Sequence, residues 1–130
     1  YMHSTGVGKV LLSELDWQEV EYIIREKGMP RFTERTITDP EELRHHLLNI
    51  RENGWVIDNV ENEEGIRCIA APIRDHSGKI IAAISISGPV FRVSEDRVHN
   101  DLKPLILETS QLISKELGYK IYKSVDIVRN

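Results

Sequence analysis

The chain has 130 residues, 40% of them hydrophobic and 29% charged, with a formal net charge of −4. That length supports one hydrophobic core without staples, and the acidic balance argues against a surface whose task is gripping nucleic-acid phosphates. The single cysteine, Cys68, excludes an internal disulfide or a multi-thiolate zinc site and fits a reducing cytoplasm, while no apolar run reaches the ~20 residues of a membrane helix.

The first expected element follows "HST": Ser4 or Thr5 caps a short helix over Gly6 to Ser13 with Val7, Val10 and Leu11 on its apolar face. A second helix, Trp17 to Lys27, gathers Val20, Ile23 and Ile24 and ends at Gly28 before Pro30. The third carries the clearest local signals: Asp39 as cap, Pro40 as first helical residue, Glu42 as reciprocal partner, and Leu43, Leu47 and Ile50 as its stripe. After Gly54 the pattern turns to strand in "WVIDNV", "IRCIAAPIRD" and "KIIAAISISG", the last two joined by the turn "DHSGK". In the third strand, period two sets Ile80, Ala82, Ile84 and Ile86 against Ile81, Ala83, Ser85 and Ser87. From Ser94 to Leu117 helical spacing returns at Val98, Leu102, Leu105, Ile106, Leu112 and Ile113. Pro104 there marks a kink or a restart capped by Asp101. "YKIYKSVDIV" alternates weakly and reads as a final edge strand or a tail. Three antiparallel strands flanked by helices make an α+β domain, taken as one unit over residues 1–130. Its opening on Tyr-Met-His reads as a fragment of a longer chain.

Few residues on these elements suggest chemistry. Ser85 and Ser87 either line a small cavity or face water along an edge. Cys68, on the same strand face as Ile66 and Ala70, reads as a buried or pocket-lining thiol, because no neighbouring base is present to make it a nucleophile. His45 and His46 are adjacent on a helix and point apart, so they cannot chelate together; nothing calls for a metal or a cofactor. Asp58 interrupts an apolar strand, either as a turn former beside Asn59 or as an acceptor for ligand hydroxyls, and the following "ENEEG" reads as a solvated loop. "GVGK" is not a triphosphate cradle, since His3 stands where that motif needs its first glycine. It is not a dinucleotide fingerprint either, since Leu11 takes the place of the third. What it offers is main-chain N–H groups at a helix start, unobstructed by side chains at Gly6 and Gly8, suited to one small carboxylate.

Taken together, "HSTGVGKVLLS", "ENGWVIDNVENEEGIRCIAAPIRDHSGKIIAAISISGP" and "RVSEDR" resemble the effector-binding domain of the IclR family of bacterial transcriptional regulators, over Tyr1 to about Leu117. The resemblance implies a GAF- or PAS-like ligand-sensing fold and a cytoplasmic regulator whose winged helix-turn-helix domain precedes this one. It implies a small organic acid as effector, homodimers or homotetramers, and contact with DNA only through that other domain. By the same resemblance the ligand carboxylate meets the amides of Gly6 and Val7, while Asp58, Cys68, Ser85 and Ser87 complete the binding site. Helix-start amides for the carboxylate, serines for its oxygens or an adjacent keto group, and Asp58 for hydroxyls together favour keto, hydroxy or sugar acids. A plain aliphatic acid would leave Asp58 desolvated and unpaired, at a cost of about 1–3 kcal/mol or more.

Two other classes give different expectations. An enzyme acting on the same acid would need Cys68 or Asp58 paired with an acid or base, which the sequence does not supply. An oligomerisation module without a ligand site would bind no small acid. The expectation is therefore a sensor without turnover, its effector shifting operator affinity through a coupling of ~1–3 kcal/mol.

Overall fold

The computed structural model describes residues 1–120. The last ten residues, which carry most of the expected final strand or tail, lie outside the described residues. The elements run α1 (Gly6–Leu12), α2 (Trp17–Lys27), α3 (Pro40–Asn53), β1 (Val56–Asn59), β2 (Ile66–Arg74), β3 (Ile80–Pro89), α4 (Glu95–Arg97), a π-helical turn (Val98–Leu102) and α5 (Lys103–Glu116). The strands form one antiparallel sheet in the order β1-β2-β3, as expected for an α+β domain.

Local chemistry accounts for most boundaries. Thr5, not Ser4, caps α1 by accepting the Gly8 N–H at 3.0 Å. Asp39 and Pro40 start α3, and Gly54 stops it in the left-handed conformation (φ 75°), where a side chain would clash with its own backbone. Between β2 and β3, Asp75 accepts from Ser77 N at 2.8 Å and from Gly78 N at 3.0 Å, closing the turn.

The sheet has helices on both faces. Val10, Leu12, Val20, Leu43, Leu47 and Ile50 pack against Val56, Ala70 and Ile80 on one face. Val93, Val98, Leu102 and Ile106 cover Ile69 and Ala71 on the other. The middle strand is therefore enclosed on both sides, which is why "CIAAPI" reads as a continuous apolar run rather than an alternation. Pro72 is tolerated within it because β1 pairs only as far as Ala70, leaving β2 a single neighbour there among the described residues.

Two elements depart from expectation. A bulge between Ile73 and Arg74 pairs Arg74 with Ile80 and Ile73 with Ala82. It moves Ile80 to the α1 face, where it is buried, and leaves Ile81 52% exposed. In the last helix, Ser94 is the cap, accepting from Arg97 N at 3.2 Å, and Asp101 is an exposed residue of the π turn. That turn absorbs Pro104, which lacks an N–H and crowds the preceding carbonyl. The buried stripe continues from Val98, Leu102 and Ile106 to Ser110 and Ser114, whereas Leu105, Leu112 and Ile113 are exposed. Ser114 replaces an apolar contact with a hydrogen bond, its Oγ accepting Arg74 N at 2.9 Å where β2 ends.

Candidate functional site

Strand register brings the expected polar residues of the sheet together. Asp58 pairs across with Cys68, and Cys68 pairs with Ser87, so one residue from each strand lies in a single row. Ser85 stands one step along, opposite Ala70, on the same face. That face carries α1, which comes close at Gly6: a Cβ there would sit 3.0 Å from the Ala70 Cβ and 3.2 Å from the Cys68 Sγ. Gly6 lies against the thiol, and Ser85 shares its face of the sheet. Val7, half-buried, follows Gly6 in the first turn. Of the two expected glycines, Gly8 does steric work of a different kind, since a Cβ on it would lie 2.5 Å from the Met2 Cα.

The residues differ sharply in surroundings. Asp58 and Cys68 are buried, whereas Ser85 and Ser87 are exposed on the edge strand. Burial pushes the Cys68 thiol up to about 11; the charge of Asp58 adds to this, while Ser85, Lys9 and the Gly6 N–H pull it down. Burial likewise holds the Asp58 carboxyl above its ordinary value, against the lowering effect of the Glu61 N–H. That N–H donates to Asp58 Oδ1 at 2.7 Å, so Asp58 also fulfils its turn-forming role and its carboxylate is already engaged on one side. The row is a ledge open along β3. Cavities among the described residues lie elsewhere, including one of 440 Å³ beside Trp55, Asn59 and Arg67 and one of 560 Å³ beside His3, Leu12 and Ile24.

The "ENEEG" segment is not wholly solvated, because Glu61 is 5% exposed and its Oε1 accepts from Lys9 Nζ at 2.6 Å. Lys9 is fully buried and also donates to Ile57 O at 3.3 Å, and Glu61 Oε2 accepts Asn59 N at 2.9 Å. The pair thus serves two main-chain groups of β1, which among the described residues has a strand neighbour on one side only. Spacing gave one available signal: Lys9 sits beside Val10 and Leu12 in a short helix that must bury most of its surface, and a buried ammonium requires an anionic partner. His46 is near this pair, and burial, then Lys9, lower its pKa. Among the described residues no group of three or more His, Cys, Asp or Glu side chains gathers as a metal-binding set. No helix among them is long and apolar enough to cross a membrane.

The family model "Bacterial transcriptional regulator IclR C-terminal" matches residues 1–115. The HTH-type transcriptional regulator KdgR of Escherichia coli is 43% identical over 121 residues, covering 93% of this chain and 46% of the relative. The chain therefore spans about half the length of that regulator. The crystal structure of the C-terminal domain of E. coli KdgR superposes with a TM-score of 0.80 at 43% identity, covering 91% of this chain and 71% of that one. The inducer-binding domain of the PobR transcription factor from Acinetobacter, a double mutant in complex with 3-hydroxybenzoic acid, gives a TM-score of 0.82 at 31% identity, covering 87% of this chain and 65% of that one.

Proposed function

The chain belongs to the bacterial transcriptional regulator IclR C-terminal family, and from that membership we propose that it senses a small hydroxy, keto or sugar acid and thereby controls DNA binding by the rest of a cytoplasmic, homo-oligomeric regulator. The observation that carries this reading is the row Asp58–Cys68–Ser87, with Ser85 on the same face and Gly6 of α1 packed against the thiol. Donors cluster at the helix start and the serines, and the acceptor stands across the sheet at Asp58. An acid bearing hydroxyls away from its carboxylate has groups for both ends. A purely aliphatic acid offers Asp58 no donor. The PobR domain, whose bound ligand is a hydroxylated carboxylic acid, supports the same class. Sensing rather than turnover is supported by the Cys68 thiol, which at about 11 stays protonated near neutral pH and is a poor nucleophile.

Titration calorimetry of this chain with D-gluconate, glyoxylate and hexanoate tests the reading. The oxygenated acids are expected to bind in preference to hexanoate and to be recovered unchanged. Ser85→Ala/Ser87→Ala is expected to weaken that binding by about 1–3 kcal/mol, roughly 5- to 150-fold. Equal affinity in both proteins would remove the serines from the site, and no saturable binding of any acid would overturn the sensor reading.

A further inference from the structure

We infer that Glu61 is a positioning residue, holding the Asp58 carboxylate at a fixed offset from the opening turn of α1 and so setting the preference for hydroxylated acids; this rests on the sensor reading above. Every polar group of Glu61 is engaged. Its N–H donates to Asp58 Oδ1 at 2.7 Å, its Oε1 accepts from Lys9 Nζ of α1 at 2.6 Å, its Oε2 accepts Asn59 N at 2.9 Å, and its C=O accepts Thr36 Oγ1 at 2.6 Å. One residue therefore grips both halves of the site: the acceptor on β1 and the helix that presents the amides.

The turn around it is fixed at successive residues. Val60 occupies the left-handed region at φ 60°, unfavourable for a β-branched side chain, and its C=O is held by Thr33 Oγ1 at 2.6 Å. Asn62 Oδ1 accepts from Ser4 Oγ at 2.7 Å, just ahead of α1. The helix start is thus tied to this turn at two points, Ser4 and Lys9, on either side of Gly6 and Val7. Stability alone is a poor reason for the arrangement, because a buried ion pair is commonly replaceable by apolar residues without loss. What apolar contacts would not reproduce is the defined geometry of four charge-assisted or neutral hydrogen bonds converging on one side chain and its peptide groups.

The test compares wild type with Lys9→Met/Glu61→Gln, which removes both charges and leaves neither buried ion orphaned. Calorimetric affinities are measured for the matched pairs glycolate and acetate, lactate and propionate, D-gluconate and hexanoate, and 3-hydroxybenzoate and benzoate, with melting temperature followed in parallel. For the pair that wild type separates most, the variant is expected to lose about tenfold in preference for the hydroxylated member while keeping its affinity for the other. Parallel weakening of both members, or an unchanged ratio, means that Glu61 is merely structural and overturns the inference while the sensor reading stands. Failure of wild type to bind any of these acids overturns both. Should the double variant not fold, Glu61→Asp keeps the charge opposite Lys9 but shortens its reach by one methylene. Loss of preference in that variant supports positioning, and retention overturns it.

Discussion

The Cys68 thiol shows how one side chain records its surroundings. It is buried between α1 and the sheet, and that burial raises its pKa from 9.0 to about 11. The folded protein therefore holds this proton more tightly than the unfolded chain does. The stability linked to it is complete below the unfolded value and is lost as pH climbs through about 11. The same protonation makes the thiol unreactive at mildly alkaline pH. Mass spectrometry after iodoacetamide treatment at about pH 8 should find slow alkylation of folded protein and fast alkylation in denaturant; rapid labelling of the folded form would contradict the burial of Cys68. Asp58 has a raised pKa from the same cause, although its Oδ1 takes a main-chain N–H, because one hydrogen bond offsets desolvation only in part. That Cys68 is buried could be read from the apolar run it opens, "CIAAPI". That Asp58 also closes a turn onto Glu61 could not, since an Asp-Asn pair fits either a turn or a ligand contact equally well.

At the scale of elements, α1 is fixed by close approach rather than by length. Seven residues form a helix that would not persist alone in water, so its docking on β2 and β3 must hold it. Helix propensity favours alanine over glycine by about 1 kcal/mol. Steric contact reverses that preference at Gly8, where a Cβ would lie 2.5 Å from the Met2 Cα and 2.6 Å from the Met2 O, both main-chain atoms. Gly8→Ala is expected to destabilise by about 1–3 kcal/mol in urea denaturation, the range of overpacked sites. Gly6→Ala should cost less, since its nearest neighbours are 3.0 and 3.2 Å away. A stabilised Gly8→Ala protein would refute this packing. The contrast between α3 and α5 has a similar physical origin. Cap, proline, stripe and terminal glycine are all local in α3, and each falls where the sequence indicates. In α5 the sheet-facing positions include Ser110 and Ser114, one of them occupied by a hydrogen bond to Arg74, so hydrophobic periodicity points partly to the wrong face.

For the molecule as a whole, stability centres on β2, which is packed from both sides by helices. Ile69 lies there with no exposed surface, and Ile69→Ala is expected to cost about 2–5 kcal/mol, a large share of the ~5–15 kcal/mol that holds a domain of this size together. Leu112→Ala, on the outer face of α5 at 58% exposure, should change stability by no more than about 0.5 kcal/mol. Similar losses in the two proteins, measured in denaturant, would show that the enclosure of β2 is not what carries the fold. The sequence by itself determined the α+β class, the order of helices and strands, the hairpin turn and the family likeness, because caps, turn residues and period-two or helical spacing act over a few neighbouring residues. Tertiary structure alone decided which strand positions share a row, the switch of Ile80 to the other face at a bulge, and the burial of Lys9 against Glu61 from opposite ends of a 52-residue separation. Those outcomes turn on desolvation and on main-chain groups left without partners at a sheet edge, and such costs arise only when distant segments are brought together.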